Sequence, residues 1–470
     1  MSDFITLACT PHKNAKRTFI EGQILARNGF VKGVTYTRTP TPQGIVLEID
    51  ETGPLTVVGK AVRGCQHKKP VIDVCNKEFA EYTGEAEQVQ IHAEYGRVII
   101  KVHASEKRKA EREASFEKAC NAGTLTEGTL CVGIGMSTLA LHHGFKNAGY
   151  SIKTKWVAYR ARKYLDVAIR NNPAVTKDTK IINSALEMVE LEEYSSVNIC
   201  QFSLSCRGHS KSGKTKNKIT LAEQHSKDAA GAYGLMKALD RINAAVYVSE
   251  NVPEAQDSAT YALIKATFQA LSYNVYEANL DSEQSGSLEQ RPRYWFIAVS
   301  KGLSFNTQST IPSFPRPYAT LGEIMEPIAQ DDGMWSDNTY LKEKAIRDAA
   351  NGKGFKRQLV TGSAKSIGVI NRLYTKRQST PPMIVREDAM ERLLTPKEHA
   401  LAKQCDPMLV ADTTVTTSHE GLGQGIDMKQ GEGIAQFIGE AICNLVKRPH
   451  KQAQSQLNMF DLLFGDCLAA

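Results

Sequence analysis

The chain has 470 residues, of which 41% are hydrophobic and 23% charged, so it is too apolar for a disordered protein and long enough for two or three domains. Its net charge of +7 is compatible with a polyanionic partner but does not require one. No apolar run approaches the ~20 residues of a membrane helix, and residues 1–10 lack a secretory signal, so we expect a soluble intracellular protein without a membrane partner. The ten cysteines include no Cys-x-x-Cys pair, which predicts neither a metal site nor a disulfide framework.

Residues 1–104 carry a faint duplication. Each copy ends in a glycine turn followed by a β-branched strand, which predicts a small β-rich domain built from two similar units. The domain resembles the swapped-hairpin barrels of the SymE and AbrB type, many of which bind DNA, and a structural or dimerising role stays open beside DNA binding. The repeated segments lie at residues 19–21, 30–36 and 44–49 in the first copy and at 71–73, 89–91 and 96–102 in the second.

Residues 105–123 are dense in Lys, Arg and Glu at helical i,i+4 spacing and have almost no apolar stripe, which predicts a charged, solvated connector helix. From residue 124 to 300, short apolar runs alternate with helical stretches. This alternation is typical of an α/β fold with a parallel, doubly wound sheet, whose ligands bind at the carboxyl ends of the strands. The apolar runs lie at residues 130–132, 156–159, 196–204, 244–249, 273–278 and 295–299.

Residues 301–386 lack this alternation and are rich in Pro, Gly, Ser, Thr and basic residues, which predicts a small irregular lobe. Residues 387–450 are expected to return to the α/β fold. A helix begins there with Thr395 as its N-cap and Pro396 in its first turn, and another helix is predicted from about residue 433 to 446. The tail at residues 451–470 carries no strong signal.

The first candidate for a functional site is a glycine turn after an apolar strand. In such a turn the backbone amides can approach a ligand, and the start of the following helix favours an anion. By itself, the pattern is often only a tight turn. It comprises Cys131, Gly133, Ile134 and Gly135.

Three further candidates stand at predicted strand ends. Cys206 precedes a basic, glycine-containing loop that would stabilise a thiolate, although a lone cysteine is more often a small buried residue. Glu250 and Asn251 end the next strand, where an acid is costly unless it is paired or used. Arg291 and Arg293 lead into another strand. Each feature could be structural, but four strand-end features in this order point to one site.

In this order the features resemble the DNA cytosine-5 methyltransferase family, over roughly residues 124–446. The Glu-Asn-Val triplet that begins at Glu250 is the most specific match, and Cys206 is followed at the family spacing by Ser210, Gly213 and Lys214. The resemblance implies a Rossmann-like methyltransferase sheet with a target-recognition lobe. The other matches are Gly133-Ile134-Gly135, Arg291 with Arg293, Ser379-Thr380-Pro381, Leu394-Thr395-Pro396-Lys397-Glu398, and Gln424, where Asn is commoner.

The resemblance implies methyl transfer from S-adenosyl-L-methionine to carbon 5 of a cytosine flipped out of double-stranded DNA. Cys206 would add to carbon 6 as a thiolate, Glu250 would contact the exocyclic amine and ring N3, and Arg293, with Arg291, would steady the base. Cys200 also resembles the nucleophile. It lies within an apolar run, however, and lacks the Gly-Lys that follows Cys206.

The departures from the family pattern concentrate on the cofactor side. Cys131 replaces the aromatic residue that usually stacks on adenine, and Asn183 aligns with the aspartate near the adenine amine. The acid that usually holds the ribose hydroxyls falls at Tyr159 or Arg160, and losing its two bonds costs a few kcal/mol, at ~1.5–3 kcal/mol each. Three interpretations stay open: an active methyltransferase with a diverged pocket, a catalytically impaired DNA-binding regulator, and an enzyme that uses a modified methyl donor, for which Arg160 would suit an extra negative charge.

Sequence specificity is expected in the lobe at residues 301–386, which supplies basic and aromatic side chains for phosphate and base-edge contacts. The resemblance suggests a bacterial or phage origin, a cytoplasmic, nucleoid-associated location and a cognate restriction nuclease as partner, while an RNA substrate stays open. The expected DNA-binding residues are Ser210, Lys211, Lys214, Asn251, Lys356, Arg357 and Arg377.

Overall fold

A computed structural model describes residues 2–13, 15–64, 68–306, 308–352 and 356–446 of the protein. It divides into two compact units, Met1–Glu111 and Arg112–Ala470. The tail expected at residues 451–470 lies outside the described ranges. None of the helices within those ranges is long and apolar enough to cross a membrane.

The first unit is rich in β-structure, as predicted. It contains a six-stranded sheet and a four-stranded sheet. Its elements are β1 (Asp3–Ala8), β2 (Thr10–His12), β3 (Ala15–Glu21), α1 (Gln23–Arg27), β4 (Thr35–Thr41), β5 (Gly44–Ile49), β6 (Leu55–Thr56), β7 (Val58–Lys60), β8 (Lys69–Asn76), α2 (Lys77–Thr83), β9 (Gln88–Glu94) and β10 (Arg97–Val102). The sheet orders are β1-β9-β10-β5-β4-β6 and β2-β3-β8-β7.

The repeated sequence segments fall on equivalent elements of the first unit. Each copy runs strand, helix, strand, strand, and the copies meet where β3 pairs with β8 and β5 pairs with β10, both antiparallel. Of the repeated segment at residues 30–36, only the last two residues belong to a strand. Gly29 and Gly33 adopt positive φ values of 87° and 92°, which turn the chain, so β4 begins only at Thr35.

Helix α3 (Ala104–Ala122) occupies the charged segment. The prediction that it is solvated is wrong for its second half, because Phe116 and Cys120 are fully buried in the core of the second unit. Arg112 is buried as well, and its Nε donates to the Ser300 hydroxyl at 2.8 Å. Two apolar residues one helical turn apart are enough to anchor a helix whose sequence is otherwise polar.

The second unit is built around a seven-stranded sheet, and it confirms the α/β, Rossmann-like prediction. Its strands are β11 (Thr124–Leu130), β12 (Ser151–Ala158), β13 (Lys180–Ile182), β14 (Ile199–Phe202), β15 (Val246–Asn251), β16 (Tyr273–Leu280) and β17 (Arg293–Ser300), in the order β13-β12-β11-β14-β15-β17-β16. The intervening helices are α4 (Met136–Asn147), α5 (Arg162–Asn171), α6 (Lys211–Asn217), α7 (Ser226–Ile242), α8 (Ala259–Ala270) and α9 (Ser282–Ser285).

The sheet is not wholly parallel. Strands β11 to β15 pair parallel to one another, whereas β17 is antiparallel to both of its neighbours, β15 and β16. The chain passes from β16 to the adjacent β17 without a crossover over the sheet, which requires the two strands to run in opposite directions. The start of β17 therefore lies beside the carboxyl end of β15.

The lobe at residues 301–386 has more regular structure than its composition predicts. It contributes α10 (Thr339–Ala350), β18 (Gln358–Val360) and β19 (Pro382–Val385), and β20 (Glu391–Arg392) completes a three-stranded sheet. Buried Leu321, Ile324 and Ile370 belong to a separate hydrophobic cluster, which also includes Leu288 and Leu394 from the flanking segments. This apolar content is scattered between turns, so no periodic pattern revealed it.

Four helices complete the unit: α11 (Pro396–Ala402), α12 (Val415–Gln424), α13 (Met428–Ile438) and α14 (Asn444–Val446). Thr395 caps α11 as predicted, accepting a hydrogen bond from the Glu398 amide at 3.1 Å. The helix predicted from residue 433 begins earlier, at Met428, because the Asp427 carboxylate caps it by accepting from two backbone amides.

Candidate active site

Cys206 lies in the turn that follows β14, with its side chain exposed. Its carbonyl oxygen accepts hydrogen bonds from the amides of His209 at 3.2 Å and Ser210 at 2.9 Å, which closes the turn. Ser210 then caps α6 by accepting from the Gly213 amide at 3.2 Å. A side chain at Gly213 would collide with the Arg207 carbonyl oxygen, so α6 can follow the cysteine this closely only with glycine at that position. Cys206 therefore follows the carboxyl end of β14, and the Ser-x-x-Gly spacing fixes the turn between it and α6.

Glu250 and Arg293 form a buried ion pair at the same edge. Glu250 is the penultimate residue of β15, Arg293 is the first residue of β17, and the antiparallel register brings Arg293 Nε onto Glu250 Oε1. Only 8% of Glu250 and 7% of Arg293 is exposed. Ser203, which sequence reasoning missed, donates to the Glu250 carbonyl oxygen at 3.0 Å and lies 3.4 Å from Oε2. The reversal of β17 is therefore what creates the pair.

Several neighbouring charges act on the Arg293 guanidinium. Burial and the neighbouring Arg291 lower the pKa of Arg293, whereas Glu250 and Cys206 raise it. The structure places Cys206, Glu250 and Arg293 at the same edge of the sheet, because the parallel strands β14 and β15 end there and the antiparallel β17 begins there.

Arg291 does not join them. It is 3% exposed, and its guanidinium donates to Glu289 Oε1 at 2.9 Å and to the Gly423 carbonyl oxygen at 2.7 Å. Lys403 donates to the other oxygen of Glu289 at 3.0 Å, and these two cations lower the pKa of that carboxyl against the effect of burial. The expectation that Arg291 steadies the base is therefore corrected: it ties the start of β17 to α12.

The expectation for Asn251 is corrected as well. It was expected to contact DNA, but it is 2% exposed. Its amide donates to the Leu204 carbonyl oxygen at 3.1 Å and to the Tyr261 hydroxyl at 3.3 Å, and its oxygen accepts from the Val252 amide at 2.9 Å. These contacts hold the ends of β14 and β15 together, beside Cys206 and Glu250.

The glycine turn follows β11 and begins helix α4. Cys131, Gly133 and Gly135 all have positive φ values, 63°, 61° and 84°. At Gly135 a Cβ would strike the Asn172 amide, which donates to the Gly135 carbonyl oxygen at 2.7 Å. The side chain of Ile134 is buried in the core and is not available to a ligand. What the turn offers to a ligand is its backbone, above all at Gly133.

The remaining residues expected on the cofactor side gather near Tyr159, at the end of β12. Its hydroxyl donates to Gln424 Oε1 at 3.4 Å, and its carbonyl oxygen accepts from Asn183 Nδ2 at 2.9 Å. Burial, with Cys131 and Tyr164 nearby, raises the pKa of Tyr159 to about 12, while Arg160, which is exposed, acts in the opposite direction.

Sequence reasoning missed a second polar group beside these residues. Glu420, one turn before Gln424 on α12, pairs with Lys163 and accepts from the Tyr164 hydroxyl at 2.8 Å. Arg372 donates to the same hydroxyl at 3.0 Å. The signal was weak, because Arg372 comes from the lobe and Glu420 from a helix of mixed composition.

The site fits a polar, acceptor-bearing cofactor over part of its length. A Cβ placed on Gly133 would find a single neighbour, Gln424 Nε2 at 3.9 Å, and this buried nitrogen has no hydrogen-bond partner among the described residues. The accessible backbone at Gly133 and the buried N–H donor of Gln424 can together bind acceptor atoms of a ligand. The ribose end fits less well, because Tyr159 and Arg160 stand where a carboxylate is expected and Glu420 is already bound to Lys163.

A small cavity of about 10 Å³ lies between the two halves of the site. Ser203 and Glu250 line it from the cysteine side, and Leu130 and Ser137 line it from the glycine turn. Its size admits about one water molecule. The edge of the sheet that carries Glu250 therefore adjoins the glycine turn.

The residues expected to bind DNA divide into two groups. Ser210 caps α6, Lys214 is half-buried on that helix, and Lys356 is exposed on the lobe. The side chain of Lys211 lies outside the described part of the structure. The second group comprises Arg357 and Arg377.

The expectation that Arg357 and Arg377 bind DNA is corrected, because the side chains of both make contacts inside the lobe. Arg357 pairs with the fully buried Glu391, with Nη1 3.0 Å from Oε1. Arg377 donates to Asn338 Oδ1 and to the Met334 carbonyl oxygen, both at 3.0 Å. Basic residues in a loop-like sequence suggested a DNA surface, but these two are structural.

Comparison with known proteins supports one family. A model of the C-5 cytosine-specific DNA methylases matches residues 129–407. The type II methyltransferase M.SsoII of Shigella sonnei is 24% identical over 187 residues, 38% of this chain, and the match spans about half (48%) of that relative's length.

Solved structures share the fold. A Dnmt2 methyltransferase of S. pombe superposes with a TM-score of 0.52 at 14% identity, covering 67% of this chain and 98% of its own. The Entamoeba histolytica methyltransferase EhMeth gives 0.53 at 13% identity, covering 67% and 98%. The family match covers more than half of the chain and contains Cys206, Glu250 and Arg293. The chain belongs to the C-5 cytosine-specific DNA methylase family.

Proposed function

We propose that the chain methylates carbon 5 of cytosine in double-stranded DNA, with S-adenosyl-L-methionine as the methyl donor and a covalent intermediate on Cys206. The observation that carries the proposal is the buried Glu250–Arg293 pair beside an exposed Cys206. Burying two charges is costly, and replacing them by apolar residues is often neutral or stabilising, so a functional use explains the pair better than stability does.

Each group has a definite task in this reaction. The Cys206 thiolate forms a bond to carbon 6 of cytosine, and the displaced electron pair moves toward N3 and carbon 5. Glu250 contacts N3 and the exocyclic amine and shares a proton as charge builds there, while Arg293 holds Glu250 in place. Carbon 5 thereby becomes a nucleophile. After carbon 5 has bonded to the methyl group, a base takes its proton, and the electron pair of that C–H bond re-forms the ring double bond as the Cys206 thiolate leaves.

When bound, S-adenosyl-L-methionine supplies an electrophilic methyl group. The backbone around Gly133 and the Gln424 amide would hold it, with Arg160 and Asn183 toward its other end. Cys206 serves as nucleophile better than Cys200, since complete burial raises the pKa of the Cys200 thiol well above its usual value. A stacked base cannot reach either cysteine, so base flipping is part of the proposal.

The biological setting is proposed on the same basis. A relative named as a type II methyltransferase supports a role beside a cognate restriction nuclease, in the cytoplasm. The second candidate function is a DNA-binding regulator with impaired catalysis, or an enzyme with a modified donor. The missing carboxylate at Tyr159 and Arg160 favours this alternative.

The test combines product and intermediate. The full chain is incubated with S-adenosyl-L-methionine and duplex DNA, and 5-methylcytosine is measured by mass spectrometry of the nucleosides. Duplex DNA containing 5-fluorocytosine should form a denaturation-resistant adduct, because fluorine on carbon 5 cannot leave as a proton does. The adduct should vanish in Cys206→Ala and persist in the matched control Cys200→Ala. Binding of duplex without product or adduct would support the regulator instead.

A further inference from the structure

Helix α10 of the lobe presents an unusual outer face. Ile346 is 71% exposed and Tyr340 67% exposed, and Glu343 and Arg347 stand between and beside them. The opposite face is buried through Leu341 and other contacts. Exposed isoleucine and tyrosine on one helical face commonly mark a binding surface.

The start of α10 is held rigidly from below. Asn338, immediately before the helix, has a left-handed φ of 48°, and its amide donates to Glu391 Oε2 at 2.9 Å. Arg377 donates to the Asn338 oxygen, and Arg357 pairs with Glu391. These two arginines and the fully buried carboxylate of Glu391 together fix the residue at which α10 begins. A helix fixed in this way is preorganised for binding.

The underside of the helix is fixed along its length. Lys344 donates to the Ser379 hydroxyl at 2.8 Å and to Asp348 at 3.0 Å. Lys342 pairs with Asp337. Lys342 and Lys344 are therefore engaged in contacts within the lobe. Arg347 remains on the outer face of the helix, 3.5 Å from Glu343.

The lobe that carries α10 is strongly basic, whereas Glu343 and Arg347 on the outer face of the helix balance each other. Residues 301–386 contain 13 Lys and Arg against 7 Asp and Glu, a net charge of +6 out of +7 for the whole chain. A polyanion complements this excess, and the major groove of duplex DNA admits an α-helix. Within the groove, Arg recognises guanine, and apolar side chains contact the thymine methyl group. Tyr340, Ile346 and Arg347 offer these chemistries from a single face.

We propose that the outer face of α10, formed by Tyr340, Glu343, Ile346 and Arg347, enters the major groove and determines which bases may flank the target cytosine. This rests on the proposed function. Arg357 and Arg377, expected from the sequence to touch DNA, then act as positioning residues for α10.

The test measures sequence preference separately from chemistry. A plasmid library with randomised bases around a cytosine is methylated by the full chain and sequenced after bisulfite conversion. Arg347→Ala should relax the preference at one flanking position by about 5- to 100-fold, the range expected for losing a specific base contact. Tyr340→Ala combined with Ile346→Ala should relax it at another. Leu263→Ala, which removes a 54% exposed leucine from α8, is the matched control and should leave the preference unchanged.

Other outcomes would overturn the proposal. An unchanged preference in all α10 variants would do so, and so would a changed oligomeric state by sedimentation with the preference intact, which would assign the face to a second copy. If the wild-type chain methylates no cytosine, the proposed function fails rather than this inference. Affinity for duplex DNA by fluorescence anisotropy then tests α10 alone, and equal affinities of wild type and the Arg347→Ala variant would refute it.

Discussion

The two halves of the candidate site differ in how their polar groups are satisfied. On the cysteine side, Glu250 and Arg293 are buried and paired with each other. On the cofactor side, the Gln424 amide nitrogen is buried without a partner among the described residues, and the acid expected near Tyr159 is absent. A buried polar group without a partner costs about 1–3 kcal/mol, so an orphaned donor is best explained by a ligand that pairs with it.

The chain therefore departs from its family on the cofactor side and follows it on the cysteine side. The cysteine side carries the residues that the resemblance led us to expect, with Glu250 and Arg293 in contact and Cys206 at the same edge of the sheet. The cofactor side keeps the glycine turn but surrounds it with Tyr159, Arg160 and Asn183. We therefore expect variants of the first half to impair chemistry and variants of the second half to change binding of the donor.

The largest effect is expected from Glu250→Gln. The substitution keeps the shape of the side chain but removes the charge that shares a proton with the base, and general acid–base groups contribute about 10²–10⁴-fold to rate. Single-turnover methylation should slow by a factor in that range, whereas affinity for the methyl donor, measured by calorimetry, should change little. A donor affinity that falls as much as the rate would erase the distinction between the two halves.

Arg291→Met tests whether Arg291 stabilises the fold and takes no part in the chemistry. It leaves Lys403 as the remaining cation that pairs with the buried Glu289 in the described structure, beside the Ile370 amide, which donates to Glu289 Oε1 at 2.8 Å. Breaking a buried ion pair costs about 3–5 kcal/mol. The free energy of unfolding in urea should fall by that order, while the methylation rate per folded molecule stays near the wild-type value. Arg293→Lys should show the reverse pattern, with a large loss of rate. Equal losses of rate in both variants would restore Arg291 to the catalytic group.

The pH dependence should report on α12, the helix that carries Gln424. His419 on this helix lies 2.9 Å from His399, Nδ1 to Nδ1, and burial lowers the pKa of His419 to about 4. Burial and His419 also lower the pKa of His399. Unfolded histidines titrate near 6.5, so between about pH 6.5 and 4 the unfolded chain binds protons that the folded chain refuses.

Stability should therefore fall as the pH is lowered from about 6.5 to 4, by up to about 3 kcal/mol from His419 alone, at 1.36 kcal/mol for each pKa unit. Urea denaturation across this range measures the slope. His419→Gln should flatten it, and His92→Gln in the first unit should not. A slope that is unchanged in His419→Gln would show that other groups control the acid sensitivity.

Much of the fold was predictable because its signals are local. Alternating apolar runs predicted the strands of the second unit, and Thr395 followed by Pro396 predicted the start of α11 correctly. The reversed strand β17 was not predictable, since an apolar run carries no direction. That reversal is what brings Arg293 to Glu250, so the contact was expected from the family resemblance rather than from the pattern.

Residue roles were harder to predict than elements, because a role depends on partners distant in the chain. Arg291 and Arg293 are two residues apart and identical in type, yet one meets Gly423 of α12 and the other meets Glu250. Asn251, Arg357 and Arg377 were expected at a DNA surface for their chemistry alone. Their partners, which include Leu204, Asn338 and Glu391, are visible only once the chain is folded.

The smallest effect is expected at Gln424, where two similar substitutions separate donor from shape. Gln424→Glu replaces the orphaned N–H donor by an acceptor of nearly the same size, whereas Gln424→Asn keeps a donor. Affinity for S-adenosyl-L-methionine by calorimetry should weaken about five- to tenfold in the glutamate variant, since one neutral hydrogen bond contributes about 1 kcal/mol. The asparagine variant should lose less. Affinity for duplex DNA should stay unchanged in both, because Gln424 faces the glycine turn, and a parallel loss of DNA affinity would mean that the two halves of the site are not independent.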